Sequence, residues 1–191
     1  RMRTVIGITG PTGSGKSLFS EVAEQKGFFV IDCDKVARKE SENEEMLSLL
    51  CLRFGNDLLK NGCLERKLLA KRAFASKQDT DDMNSIMLPF IVNSIEKIME
   101  DKDKVLLDAP TLFESGLDKC CDAVIGILAE ESLRKTRIIS RDGLSMEDAK
   151  IRLSAAKSDD FFSTRCDAVI INNGDKQDFI NKAEEILQKY I

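Results

Sequence analysis

The chain contains no histidine, and its six cysteines, Cys33, Cys51, Cys63, Cys120, Cys121 and Cys166, show no C-x-x-C spacing. A zinc site of mixed imidazole and thiolate ligands is therefore excluded, and the cysteines read as reduced, mostly buried small hydrophobes rather than a disulfide framework. Positive charge is not in excess either. Lys and Arg total 29 against 33 Asp and Glu, a net charge of −4 that argues against a dedicated nucleic-acid binder. A local cationic cleft for phosphates stays compatible with that balance, because net charge does not describe one site. Also missing are an apolar run long enough for a membrane span and a signal-peptide pattern ahead of the first strand, so the cytosol is the expected compartment. There is no internal repeat or low-complexity tract. Arg1 ahead of Met2 is given no function, and no feature specifies an oligomeric state. The 191 residues leave room for one domain with an inserted or appended subdomain and a full core.

What is present begins with Gly10-Pro-Thr-Gly-Ser-Gly-Lys-Ser17. It follows the β-branched run Thr4-Val-Ile-Gly-Ile-Thr9 and precedes a segment with helical spacing from Lys16 to Gln25, closed by Gly27. The pattern G-x-x-x-x-G-K-[ST] is met by Gly10, Gly15, Lys16 and Ser17, in the strand-to-helix context a phosphate-binding loop requires. Glycines, Gly13 among them, let successive backbone N–H groups turn toward phosphate oxygens, and the helix N-terminus adds its positive dipole end. Lys16 would reach the β- and γ-phosphates and the Ser17 hydroxyl would ligate Mg²⁺. The donor-binding set is thus Pro11, Thr12, Gly13, Ser14, Gly15, Lys16, Ser17 and Leu18.

Further apolar runs at Phe28-Ile31, Val105-Leu107, Ala123-Leu128 and Ala168-Ile171 are short and separated by helical patterns, which predicts a five-stranded parallel sheet flanked by helices. Residues 34–103 are too many for one crossover. They read as helices at 43–53, 66–75 and 79–100, the last containing Pro89, and form a helical insertion suited to holding an acceptor. A second helical excursion, at 131–162, is a candidate lid.

The second strand ends in Val30-Ile-Asp-Cys-Asp34, at the carboxyl edge where open α/β sheets bind ligands. Asp34 reads equally as helix N-cap or as a carboxylate that accepts a hydroxyl proton or binds Mg²⁺ through water. Asp108 closes the third strand and stands in the metal's outer sphere or caps the turn before Pro110. Arg134, Arg137 and Arg141 line one helical face, suited to a polyphosphate or, with Glu130 and Glu131 as partners, to solvent. Ser145-Met-Glu-Asp148 is a capping signal. Asn173-Gly174, a hairpin signal in an all-β chain, here belongs to a loop between the last strand and the terminal helix.

Over essentially its whole length the chain resembles the dephospho-coenzyme A kinase family. The matching stretches are Thr9 to Ser17, Val30-Ile-Asp-Cys-Asp-Lys-Val-Ala-Arg38, Phe54-Gly55, Gly62-Cys-Leu-Glu-Arg66, Phe74, Leu88-Pro89, Leu112-Phe-Glu114, Arg137 to Gly143 and Val169-Ile-Ile-Asn-Asn-Gly174. The resemblance implies a P-loop kinase that transfers the ATP γ-phosphoryl group to the ribose 3′-hydroxyl of dephospho-coenzyme A with Mg²⁺. It implies Asp34 as catalytic carboxylate, Lys16, Arg137 and Arg141 on the transferred charge, and Asn172 and Gly174 at the adenine edge. Arg66, Pro89, Asp108 and Glu114 fall to the acceptor side.

Four positions depart from the family's pattern. Leu88 stands where many members have His, Ala156 and Phe162 where Gln and Lys occur, and Ile171 where an Asp precedes the Asn. Because the loop, Asp34 and both lid arginines are complete, an active enzyme is expected. The alternatives are another small-molecule P-loop kinase acting on a nucleoside or nucleoside monophosphate, and a non-catalytic nucleotide or coenzyme A sensor. A GTPase is disfavoured, since Asp108 is followed by Ala109-Pro110-Thr111 rather than x-x-Gly.

Overall fold

All five apolar runs become strands of one sheet in the computed structural model, which describes residues 3–191; Arg1 lies outside them. In chain order the elements are β1 (Thr4–Thr9), α1 (Lys16–Gln25), β2 (Phe29–Asp32), α2 (Cys33–Glu40), α3 (Glu44–Phe54), β3 (Leu59–Lys60), β4 (Cys63–Leu64), α4 (Arg66–Ala73) and α5 (Lys77–Met99). They continue with β5 (Lys104–Asp108), α6 (Leu112–Ser115), β6 (Ala123–Leu128), α7 (Glu131–Asp142), α8 (Met146–Ser154), α9 (Asp159–Ser163), β7 (Ala168–Ile171) and α10 (Lys176–Gln188). The five-stranded sheet has the order β2-β5-β1-β6-β7. β1 pairs in parallel with β5 and β6, and β6 with β7. Central strands covered on both faces need continuous apolar sequence, which is why β6 is buried at all six positions and β1 at five of its six.

The chain divides into two compact units, residues 1–31, 102–112 and 118–191 in one, and 32–101 with 113–117 in the other. In the first, Ile6, Ile8, Leu106, Ile125, Ile127 and Ile170 of the sheet meet Phe19, Val22 and Ala23 of α1 and Phe179, Ala183 and Leu187 of α10. The α10 residues recur every four positions, so one stripe of that helix carries its docking energy, about 1.5–3 kcal/mol for each large side chain. At the amino edge of the sheet one device occurs twice. Asp122, just before β6, takes the Val5 N–H on its carboxylate, 2.7 Å, and Asp167, just before β7, takes that of Val124, 2.8 Å. In each case the aspartate's own N–H returns a bond to the same residue's carbonyl.

The second unit is built on α3, α4 and α5 around Met46, Leu50, Phe54, Leu58, Leu69 and Ala73. Asn43 and Ser76 cap α3 and α5 on the N–H groups of Met46 and Asp79. Arg72 of α4 forks onto both carboxylate oxygens of Asp57 and also donates to the Phe54 carbonyl, which holds α4 against the end of α3.

Two expectations need correction here. The insertion at 34–103 is not wholly helical: ahead of Arg66, β3 and β4 form an antiparallel hairpin, with Leu59 opposite Leu64 and Lys60 opposite Cys63. Its two-residue loop is Asn61-Gly62, both at positive φ, 53° and 80°, as a type I′ turn demands. The cysteines are also less buried than expected. No disulfide joins them among the described residues, but only Cys33 and Cys51 are buried, and Cys63 is exposed. Burial, the main cause, pushes the Cys121 thiol up to about 12 and Cys166 to about 11, which keeps both protonated and inert at neutral pH.

A Cβ at Gly62 would meet no atom within 4 Å, so Gly62→Ala isolates the conformational cost of φ 80°. A loss of about 1 kcal/mol of stability in chemical denaturation is expected.

Candidate active site

The loop between β1 and α1 closes on its own backbone. The Ser14 N–H donates to the Pro11 carbonyl, 3.2 Å, and Lys16 Nζ donates to the carbonyls of Gly10, 2.7 Å, and Pro11, 3.3 Å. Gly15, at φ 106°, begins α1 with no side-chain cap among the described residues. α4 and α7 likewise start without a side-chain cap, whereas Asp32, Asn43, Ser76, Ser145, Ser158 and Asp175 cap α2, α3, α5, α8, α9 and α10. An uncapped N-terminus at the end of a glycine loop leaves its N–H groups to a ligand, and Ser17 is exposed in that first turn. Leu18 instead turns inward to the core.

Two side chains from distant sequence hold this loop. Asn172, 7% exposed at the end of β7, donates its amide to the Ser14 carbonyl, 2.7 Å. Arg137 of α7 donates to the carbonyls of Gly13, 3.2 Å, Ser14, 3.4 Å, and Asn172, 3.0 Å. The approach is close enough to require glycine: a Cβ at Gly15 would lie 2.2 Å from Asn172 Nδ2, and one at Gly13 2.7 Å from the Arg134 carbonyl. The Ser14 hydroxyl is buried without a hydrogen-bond partner among the described residues.

The three arginines of α7 share a face in sequence but not an environment. Arg134 is buried and donates Nε to the Ala129 carbonyl, 3.0 Å. Arg137 holds the loop. Arg141 is exposed and forks onto Asp142, at 2.6 and 2.9 Å, rather than onto Glu130 or Glu131. Asp142 also pairs with Arg152 of α8. Arg141 holds the Asp142 carboxyl down at about 2, against an ordinary 3.8, and is itself raised by that bond. Glu130 is engaged by Asn173, which accepts from its N–H, 2.8 Å, and donates to its carboxylate, 3.2 Å. Gly174 follows in an exposed loop that is not a hairpin.

Asp108 accepts from the Ser20 hydroxyl of α1, 3.2 Å, one turn beyond Ser17. The helix cap after β2 is Asp32, which accepts the Lys35 N–H, 3.0 Å; Asp34 is therefore not the N-cap but an exposed residue in the first turn of α2. Arg66 donates to the Ser41 hydroxyl, 2.9 Å, and to the Arg38 carbonyl, 3.4 Å, at the end of that helix. Pro89 is exposed on α5. Glu114 keeps one buried carboxylate oxygen with no partner among the described residues, while its carbonyl accepts from Asn84, 2.7 Å.

A strand-loop-helix of this kind serves many phosphate chemistries, and comparison with known proteins narrows it. The family model described as dephospho-CoA kinase matches residues 4–178. The chain belongs to the dephospho-CoA kinase family. A dephospho-CoA kinase from Fusobacterium nucleatum is 36% identical over 187 residues, covering 96% of this chain and 97% of its own length. A solved protein from Thermus thermophilus superimposes with a TM-score of 0.80 at 26% identity, each chain fully covered. The dephospho-CoA kinase from Campylobacter jejuni does so at 0.55 and 27%, covering 99% of this chain and 98% of its own. Membership makes the chain a transferase of the kinase class.

The four departures from the family pattern have different settings. Leu88 is half-buried beside Gly116, Phe162 is buried with its ring edge-on to Phe161, Ile171 is exposed, and Ala156 lines a cavity with Arg134. Sequence reasoning did not find Ser20 as the partner of Asp108, nor the grip of Asn172 on Ser14. Nothing in the sequence pairs residues 158 positions apart.

Asn172→Ala should cost about 1–3 kcal/mol of stability by leaving the Ser14 carbonyl short of a buried donor, and should raise the KM for nucleotide. Paired denaturation and steady-state kinetics check both. Because folding lowers the Asp142 pKa, its ion pairs stabilise the protein fully above about pH 4 and are lost as the pH falls toward 2. Asp142→Asn should therefore be less stable than the parent at pH 7 and equal to it below about pH 2 in pH-dependent denaturation.

Proposed function

We propose that the chain transfers the γ-phosphoryl group of ATP to the ribose 3′-hydroxyl of dephospho-coenzyme A, with the roles of its residues divided as follows. The observation that carries the donor assignment is the uncapped start of α1 behind a loop whose lysine amine rests on the Gly10 and Pro11 carbonyls. Triphosphate oxygens arriving at Gly13 to Leu18 meet backbone donors, and Lys16 exchanges carbonyl partners for the β- and γ-phosphates. Arg137, fixed on the loop, and Arg141, once it leaves Asp142, neutralise charge that builds on the transferred group. Asn172 positions the loop from below the adenine edge, where Gly174 leaves room.

Asp34 orients or deprotonates the attacking hydroxyl, a role open to it because Asp32 has taken over the capping of α2. Arg66, Pro89 and Glu114 hold the acceptor, the spare Glu114 oxygen taking a hydroxyl or amide donor. Ser17 and Asp108 are hard oxygen donors that suit Mg²⁺. No cluster of three or more His, Cys, Asp or Glu ligands occurs among the described residues, in keeping with a cation that draws most of its ligands from water and phosphate. Bound there, Mg²⁺ supplies neutralisation of the phosphate charge. No helix among the described residues is long and apolar enough to cross a membrane. A cytosolic setting fits a reaction between two water-soluble substrates.

A coupled ADP-release assay should show turnover with dephospho-coenzyme A and little with nucleosides or nucleoside monophosphates; the reverse preference would overturn the acceptor assignment. Asp34→Asn should lower kcat by about 10²–10⁴-fold with ATP binding largely intact. Near-normal turnover by that variant removes Asp34 from the catalytic step.

A further inference from the structure

The main chain around Asp108 is fixed by β1. Ile8 pairs with Asp108 across the sheet, the Ala109 N–H donates to the Ile8 carbonyl, 3.2 Å, and the Thr9 hydroxyl donates to the Pro110 carbonyl, 3.1 Å. None of these bonds sets the orientation of the carboxylate, and χ2 of an aspartate is a broad torsion with little preference of its own. The Ser20 hydroxyl acts on that torsion, because it donates to Asp108 Oδ2, 3.2 Å, from α1. Ser20 is 9% exposed, so water competes little for the bond. Its single proton has two acceptors in reach, Asp108 Oδ2 and, at 3.3 Å, the Lys16 carbonyl one turn back. The second is the ordinary back-bond of a helical serine. The carboxylate is the nearer acceptor and the charged one, which makes it the stronger partner.

We propose that Ser20 is a positioning residue for phosphoryl transfer, which holds the Asp108 carboxylate on α1 so that Asp108 and Ser17 serve one Mg²⁺. This rests on the assignment of Ser17 and Asp108 to that cation. Ser17 and Ser20 are three residues apart on α1 and so neighbours on one helix surface. One turn of helix therefore ties the hydroxyl assigned to the metal to the hydroxyl that holds Asp108. The phosphate-loop pattern ends at Ser17 and asks nothing of the residue three places on, so the device belongs to this chain rather than to the motif. A group that holds a metal-binding carboxylate tunes cation affinity without touching the cation, and its loss costs about 10–100-fold. Asp108 acts through water, which places Ser20 at the lower end of that range.

The test is the Mn²⁺ affinity of the full chain saturated with ADP, read from the electron paramagnetic resonance signal of free Mn²⁺, which takes the same octahedral oxygen ligands as Mg²⁺. ADP affinity in EDTA is measured beside it by calorimetry. Ser20→Ala should weaken Mn²⁺ binding about tenfold and leave metal-free ADP affinity within about twofold. Ser20→Thr keeps the hydroxyl and should restore most of the Mn²⁺ affinity. In turnover, Ser20→Ala should raise the Mg²⁺ concentration for half-maximal rate by a similar factor, a change that loss of the back-bond to Lys16 alone would not bring. Asp108→Asn is the reference variant. If it binds Mn²⁺ as the parent does, Asp108 is removed from the cation and the proposal falls with that assignment. A loss in Asp108→Asn with none in Ser20→Ala overturns the role of Ser20 alone. So does a loss that Ser20→Thr repeats in full, or an equal loss of metal-free ADP affinity, which marks a disturbed loop.

Discussion

The contact on which the phosphate loop depends is the pair of donors that Asn172 and Arg137 place on the Ser14 carbonyl. A glycine-rich loop has little of its own to hold it, since glycine surrenders more backbone freedom on folding than any other residue. Here the ordering is supplied from outside by the end of β7 and by α7, both gripping the peptide that precedes Gly15. The glycines are as much a condition of that grip as of phosphate binding. At Gly13 and Gly15 any side chain would collide with the elements that hold the loop, before a ligand is considered. The shape of the loop is thus a property of three segments that meet only in the folded state.

Helical spacing correctly put Arg134, Arg137 and Arg141 on one face of α7, but a face is not one environment. Three and a half turns carry that face from beneath Ala129, past the loop, out to solvent at Asp142. The same row consequently holds a buried arginine, a loop-holding one and an exposed one. Period alone reports direction, while depth depends on what the helix is docked against.

The sheet was legible because continuous β-branched runs such as Val5 to Ile8 and Ala123 to Leu128 admit few alternatives to buried parallel strands. The phosphate loop was legible because its residue types are constrained by chemistry at fixed spacing. The β3–β4 hairpin was not read, although its Asn61-Gly62 turn is the strongest short hairpin signal there is, since its strands are two residues each and carry no visible alternation. The Asn-Gly at 173–174, by contrast, follows a parallel strand and makes no hairpin. Likewise, the competition between Asp32 and Asp34 for the cap of α2 turns on a single residue of helix phase, below the resolution of pattern reading.

The aspartates just ahead of β6 and β7 give the sheet two chemically unequal ends. At the amino end, the N–H groups of Val5 and Val124 are already engaged by fixed carboxylates. At the carboxyl end, α1 starts uncapped, with its donors unclaimed by any side chain among the described residues. The same sheet thus spends side chains on its backbone donors at one edge and leaves the donors of α1 without a side-chain partner at the other.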